Sequence, residues 1–406
     1  AANMQRNTTI NRLTGKFPQQ AESENTIRQQ TSTSMPIVRC MDLQKMAGDE
    51  VEFDFVNHLG GKPIMGSRNA EGYGKAMSFA QDRLRINQAR YPISAGDTMT
   101  QQRTPHQLRS LARTLGEAYM NRLQDQLSLV HMAGARGFHN NVEWAVPLAS
   151  DPDFASILVN PVRAPSRNRH FMSTGTGLET VKAAASEITM TTADVFNADL
   201  VDSLRAQLDS MALAPSPIEF DGDKLAADSP LRVLLVSSDQ FASFAQSTNY
   251  RTYLSNAIAR GQQAGNHPLF MGGDTALWNG ILMVKMPKPI RFYAGNPINW
   301  CASTTSETET TTDLAPAALG TGYAIDRAIL LGGQALAEAW GKHRKTGNPF
   351  FWSEKELDHD DKLELLVGAI NGRSKVRFEV DHGNEKQITD NGIIAIDTVV
   401  KLGVAA

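Results

Sequence analysis

The sequence predicts an α+β fold built around one long helix and an extended β-ribbon. Three observations carry that reading. RLRINQARYPI, from Arg83 to Ile93, reads as a strand and turns through residues 94–97 into the helical pattern TPHQLRSLARTLGEAYMNRLQDQLSLVHMA. VEFDFV, from Val51, alternates apolar and acidic residues as a half-buried strand does. Between residues 186 and 340, strand-like and helical runs alternate, the pattern of a mixed lobe.

The elements follow in chain order. Residues 1–35 scatter Met4, Ile10, Leu13, Phe17 and Ile27 through Asn, Gln, Thr, Ser and Arg, too sparsely to close a core. Ordering each backbone residue costs roughly 1–2 kcal/mol, so this segment is expected to be an arm that takes shape only on another surface, or else a floppy terminus. VEFDFV and AMSFAQDRLRINQARYPI, separated by GGKPIMG, form a two-armed ribbon carrying Glu52, Asp54, Arg83, Arg85 and Arg90. These charges pair across the ribbon or with another chain, and each exposed pair is worth only about 0–1 kcal/mol. A hairpin that is merely solvated fits the same pattern.

In the long helix, Thr104 is the expected cap, Pro105 the first helical residue, and Gly134 with Gly137 the stop. Leu108, Leu111, Leu115, Tyr119, Leu123, Leu127 and Val130 recur as one apolar stripe, with Arg109, Arg113, Glu117 and Asp125 on the wet side. An irregular zone follows over 138–177, then a helix TTADVFNADLVDSLRAQLDSMA opened by Thr191 or Thr192. LRVLLVSS reads as a buried strand, DQFASFAQSTNYRTYLSNAIARGQQ as a helix and WNGILMVKM as a further strand. The low-complexity stretch 303–322 is expected to be an exposed loop with no share in the core. RAILLGGQALAEAWG, KLELLVGAINGRSKVRFEV and GIIAIDTVVKLGV complete the fold, the last two flanking the turn signal DHGN.

Composition narrows the function. The 406 residues are 41% hydrophobic and 20% charged, as in a soluble, well-packed chain of two or more lobes. A formal charge of −3 excludes a global basic field, so contact with nucleic acid is expected to be local, weak and nonspecific. No run approaches the roughly 18 apolar residues of a membrane span, and the N-terminal stretch lacks a secretory core, so no membrane association or export is expected. Cys40 and Cys301 stand alone, which points to a reduced compartment without a disulfide framework.

Catalytic signatures are missing. The chain has no GxxxxGK[ST], HExxH or GxSxG motif, and STGTG at 173–177 has no strand before it. His359 with Asp358, Asp360 and Asp361 resembles a ligand cluster, but neighbouring carboxylates point apart, so a solvated acidic turn is favoured. The basic run KHRK at 342–345 is a solubilising loop or a nucleic-acid patch. Arg163, Arg167, Arg169 and His170 form another local positive spot. No catalytic, cofactor-binding or metal-binding residue is assigned, and no cofactor is expected.

RLRINQARYPISAGDTMTQQRTPHQLRSLARTLGEAYMNRL resembles the arm-to-spine-helix passage of the HK97-like major capsid proteins of tailed bacteriophages, most nearly the schitovirus-type members. Three further blocks agree in order: LLVSSDQFASF with NHPLFMGGDTALWNGILMVKM, AILLGGQALAEAWGKHRKTGNPFFWSE, and LDHDDKLELLVGAINGRSKVRF followed by GIIAIDTVVKL. The resemblance implies an N-terminal arm over 1–50, an extended loop over 51–97 and an axial domain over 186–340. It implies a peripheral domain made of 98–185, with the spine helix, and 341–406. It further implies a non-enzymatic subunit that self-assembles through pentamers and hexamers into an icosahedral shell around double-stranded DNA. Its partners would be a scaffolding protein, a portal protein at one vertex and, in some relatives, a decoration protein. Assembly would take place in the host cytoplasm. Phe17 on the arm and Glu52, Asp54, Arg83, Arg85 and Arg90 are the candidate intersubunit contacts. The Lys–Asn cross-link of one relative is not carried over, because no motif here identifies such a pair. A ring-forming virion or tail-associated protein, and a metal-dependent two-lobed enzyme using 354–364, are the alternatives.

Overall fold

The computed structural model describes residues 13–15, 31–44, 48–56, 62–74, 77, 79–139, 143–181, 188–211, 213–220, 230–246, 275–306, 310–381 and 386–403. Two sheets organise them. In a five-stranded sheet the order is Ile37–Cys40, Leu336–Trp340, Lys362–Lys375, Phe350–Leu357, with Asn87–Asp97 paired along the other side of Lys362–Lys375. An eight-stranded sheet runs Leu178–Thr180, His170–Ser173, Ile393–Lys401, Tyr323–Leu331, Arg232–Val236, Ile281–Lys285, Thr275–Trp278, and Arg291–Tyr293 also pairs with Tyr323–Leu331.

The central strands read as unbroken apolar runs because both of their faces are covered. Val233, Leu235, Ile329 and Leu331 join the main core, which holds the spine-helix residues Met120, Leu123, Leu127 and Val130. Leu234, Val236, Ala328 and Leu330 face a second core with Leu200, Val201 and Leu204 of helix Ala198–Ser210 and Phe241 and Phe244 of helix Ser238–Ala245.

The spine helix spans Leu108–Ala133, and its start differs from expectation. Asp97 caps an earlier short helix, Thr98–Arg103, by accepting the Thr100 N–H at 2.7 Å. Thr104, preceding a proline, is driven to extended geometry (φ −112°, ψ 137°) and ends that helix instead of opening the next. The long helix then begins after Gln107 with no side-chain cap. Its end matches the reading: Gly134 is left-handed at φ 67° and its N–H reaches the Val130 carbonyl at 3.0 Å.

The apolar stripe holds only in the second half of the helix. In the first half Ala112 and Gly116 are buried, while Leu111 and Leu115 are 48% and 58% exposed. Close packing on the sheet explains the swap. A Cβ on Gly116 would lie 2.7 Å from Ile93 Cδ1 and 3.1 Å from Val367 Cγ2, so only the smallest residues fit that line of the helix.

Further corrections concern punctuation. Helix Ala198–Ser210 is capped by Asn197, which accepts the Leu200 N–H at 2.9 Å, and not by Thr191 or Thr192. A bridge between Val195 and Val399 keeps the chain extended until there. WNGILMVKM is a hairpin, not one strand: Asn279 and Gly280 have φ 45° and 76°, the two positive values that a tight Asn-Gly turn requires. The 303–322 stretch enters the core in part, since Thr310–Leu314 pairs with Pro297–Cys301 and Leu319 is buried. At the other end of the chain, Leu13, Met35 and Ile37 lie in the main core, and Ile37–Cys40 runs parallel to Leu336–Trp340. Phe17 and most of the helix expected after Ala245 lie outside the described residues.

Candidate assembly surfaces

The ribbon is an antiparallel pair, Glu50–Val56 against Phe79–Arg85. Its register puts Glu52 opposite Arg83 and Glu50 opposite Arg85. The corresponding ion pairs form at 3.0 and 2.5 Å. Arg83 therefore pairs with Glu52 across the ribbon, one of the two arrangements the sequence left open, while the partner of Arg85 is Glu50, which was not singled out. Asp54 is exposed opposite Gln81. Arg90 does not lie on the ribbon but on Asn87–Asp97, opposite Gly368.

The root of the ribbon is clamped from inside. Asp82, which alternation turns away from the exposed charges, receives both terminal guanidinium nitrogens of Arg163 at 2.6 Å. Asn160 accepts the Arg85 N–H at 3.0 Å and donates to the carbonyls of Arg85 and Arg373, both at 2.9 Å. Farther out, Phe55 stacks on Phe378 with ring centroids 4.7 Å apart. Beyond that stack the ribbon loses its cover: Val56, Met65, Tyr73, Met77 and Phe79 are each 59–74% exposed. Five large apolar groups on one projecting element form the kind of surface that soluble monomers avoid and interfaces use.

A second apolar face surrounds the start of the spine helix, where Leu111, Leu115, Tyr91, Met99 and Trp352 are 40–58% exposed. Arg113 lies 4.4 Å over the Trp352 ring, and Arg109 pairs with Glu354. These residues border an open cleft of about 640 Å³.

Several charges are buried inside the molecule, which sequence reading missed. Glu338 lies between Arg39 (2.7 Å) and Arg373 (2.5 Å). Burial alone would raise its pKa, but the two guanidinium groups outweigh that and hold it at about 2. Asp390, bound by Arg377 at 2.7 Å and Lys375 at 3.2 Å, is likewise held at about 2 against the effect of burial. Asp397 accepts from Arg327 at 2.7 Å and contacts His170 at 2.7 Å. Arg169 and His170, read as a surface spot, are only 4% and 0% exposed. Their partners are more than forty residues away in sequence, Leu213 O for Arg169 and Asp397 for His170. The legible signal was one or two charges inside each apolar strand, as in YAIDRAILL, ALAEAW and GIIAIDTVV.

The Asp358 to Asp361 segment forms an exposed hairpin turn in which Asp358, His359 and Asp360 have φ of 57°, 53° and 69°. Among the described residues no three His, Cys, Asp or Glu side chains converge on a metal-sized point. Also among these residues, no helix is long and apolar enough to cross a membrane.

Comparison with known proteins fits a chain with two uncovered apolar faces and a projecting ribbon. A family model described as phage capsid protein matches residues 1–402. Among solved structures, the capsid of Ralstonia phage GP4 aligns with TM-score 0.67 at 23% identity, covering 92% of this chain and 90% of that one. The capsid of cyanophage Pam1 gives TM-score 0.59 at 15% identity over 90% and 88%. That of Helicobacter pylori bacteriophage KHP30 gives 0.56 at 11% over 91% and 89%. No curated protein matches. The chain belongs to the phage capsid protein family, with the HK97-like capsid fold, and is a major capsid protein, the repeating subunit of a virion shell.

Proposed function

We propose that this subunit closes into an icosahedral shell of pentamers and hexamers around packaged double-stranded DNA, serving as a structural element and not as a catalyst. The observation that carries the reading is the bare apolar end of the ribbon. A segment whose root is clamped by Asp82–Arg163 and Asn160 is held outward, and its uncovered Met65, Tyr73 and Met77 need a neighbouring copy to remove them from water. Burying a side chain of this size stabilises by about 1.5–3 kcal/mol, and closure multiplies many such contacts.

The division of labour follows the sequence reading: arm over 1–50, extended loop over 51–97, peripheral domain from 98–185 with 341–406, axial domain over 186–340. Phe17, Glu52, Asp54, Arg83, Arg85 and Arg90 stay candidate intersubunit contacts. Because Glu52, Arg83 and Arg85 already take part in ion pairs within the ribbon, they stiffen it as much as they offer charge to a neighbour. Assembly around a scaffolding protein in the host cytoplasm, a portal at one vertex, a decoration protein, loose contact with DNA and the placement beside schitovirus-type relatives belong to the same proposal.

Negative-stain microscopy of the purified chain tests it. Closed shells are expected, and discrete rings or monomers would overturn it. Met65→Asp with Tyr73→Asp should abolish shells while the subunit keeps its unfolding midpoint. Normal particles from that variant would remove the ribbon end from the argument.

A further inference from the structure

Two charge clusters have no task in the account so far: the basic run 342–345 and the acidic run 358–361. The structure puts them at opposite ends of one strand. Phe350–Leu357 starts after the basic loop and ends at the acidic turn. At about 3.4 Å per residue the strand separates the two clusters by roughly 27 Å. It is also the outermost strand in its sheet order, so its far edge has no strand partner among the described residues. Exposed charges are screened beyond about 8 Å at physiological salt, so the two clusters of one chain cannot neutralise each other.

Both ends are held in place. His343 stacks on Phe351 with centroids 4.2 Å apart and planes at 12°. Phe351 in turn lies flat across Gly368, where a Cβ would strike its ring. That stack fixes the basic loop to the sheet. Lys342, Arg344 and Lys345 are exposed and form no ion pair among the described residues. At the other end the Asp361 N–H closes the turn on the Asp358 carbonyl at 3.2 Å. Lys362 engages Asp358 at 3.0 Å and leaves Asp360 exposed without an ion pair among the described residues. Midway along the strand Trp352 is 48% exposed.

We infer that the outer edge of Phe350–Leu357 is a self-complementary contact between two copies of this chain. The two strands run antiparallel about a two-fold axis, and the basic loop of each copy meets the acidic turn of the other. An isologous contact needs a surface whose two halves complement each other under that rotation, and a strand basic at one end and acidic at the other is such a surface. The exposed cations, the strand edge with no strand partner among the described residues and the matching anions follow one another along residues 342–361. This contact rests on the shell reading, but it names a different surface from the ribbon end.

The test uses the full-length chain in two charge-reversed forms. Form one carries Arg344→Glu and Lys345→Glu, so that both ends are acidic; form two carries Asp358→Lys and Asp360→Lys, so that both are basic. Each alone should lower shell yield at least about tenfold, read by sedimentation and negative stain. Mixed in equal amounts, they should regain most of it, because acidic edges now meet basic ones. Wild-type yield from either form alone, or no recovery on mixing while both forms keep the wild-type unfolding midpoint, would overturn the contact. Form-one shells that assemble normally but lose packaged DNA would overturn it in favour of a nucleic-acid face. Failure of the unmodified chain to form shells would instead refute the proposed function.

Discussion

Replacing Glu338 by Gln removes the one carboxylate that lies between Arg39 and Arg373 while keeping its shape. The carboxyl sits at about 2 against an ordinary 4.5. At 1.36 kcal/mol per tenfold in proton affinity this amounts to about 3 kcal/mol of folding stability. Breaking a buried ion network from one side costs about 3–5 kcal/mol, because the remaining charges are stranded. The sign follows from linkage. A carboxyl whose folded pKa is depressed contributes fully above its unfolded value and loses that contribution as pH falls through the folded one. The wild-type advantage over Glu338→Gln is therefore expected to be about 3–5 kcal/mol at pH 7 and to shrink between pH 4.5 and about 2. Urea unfolding of unassembled subunits across that range measures it. Hydrogen exchange adds a local readout: Arg39 belongs to Ile37–Cys40, so that strand should lose protection first. A difference below about 1 kcal/mol, or one that ignores pH, would refute the assignment of the network as a stabilising element.

Three further outcomes follow. His131 is buried, its ring nitrogen 3.3 Å from the Leu158 carbonyl, and burial lowers its pKa from 6.5 to about 4. The unfolded chain thus binds the extra proton between those values and stability falls as pH drops from 6.5 to 4; His131→Gln should flatten that limb of the stability curve and leave the Glu338 limb in place. Gly372→Ala drives a Cβ into the Arg85 carbonyl, a backbone atom that cannot turn aside, and should cost about 3 kcal/mol in urea titration. Arg163→Ala strands the buried Asp82 at the ribbon root, so limited proteolysis between residues 57 and 78 should accelerate several-fold with little change in spine-helix protection.

What could be read from the sequence was whatever the chain states locally. The spine helix and its Gly134 stop, the alternation of Glu50–Val56 and the unbroken runs of the central strands are decided by neighbours within one or two turns, and all of them stand. The misses have a common physical source. Leu111 and Leu115 look like core residues by spacing, but the sheet comes so close to the helix that Ala112 and Gly116 take the inner line. Thr104 looks like a cap, but Asp97 caps a separate short helix that ends at Thr104, and the spine helix starts after Gln107 without a side-chain cap. His170 and Arg169 look like surface charge because Asp397 and the Leu213 carbonyl reach them only in the folded chain. Pairings across some thirty-five to three hundred positions leave no local mark beyond a charge in an apolar run, and that mark at Asp326, Glu338 and Asp397 was present to be used.

The distribution of polarity explains how one chain can fold first and assemble afterwards. Its interior holds Glu338, Asp390 and Asp397 with their cations, while Met65, Tyr73, Leu115 and Trp352 stand outside. Buried ion networks contribute little net stability compared with apolar packing, but they tolerate few alternative arrangements of the strands that carry them. They therefore define one subunit shape without using the apolar surface that its neighbours require. The two processes then answer to different conditions. Acid removes the interior contribution by protonating carboxylates and His131, and should weaken the subunit itself. Salt leaves those shielded networks nearly untouched but screens the exposed ends of the Phe350–Leu357 edge, and should weaken association alone. A shell that loosens in high salt yields intact subunits able to reassemble, whereas one opened below pH 4 yields subunits that have begun to unfold.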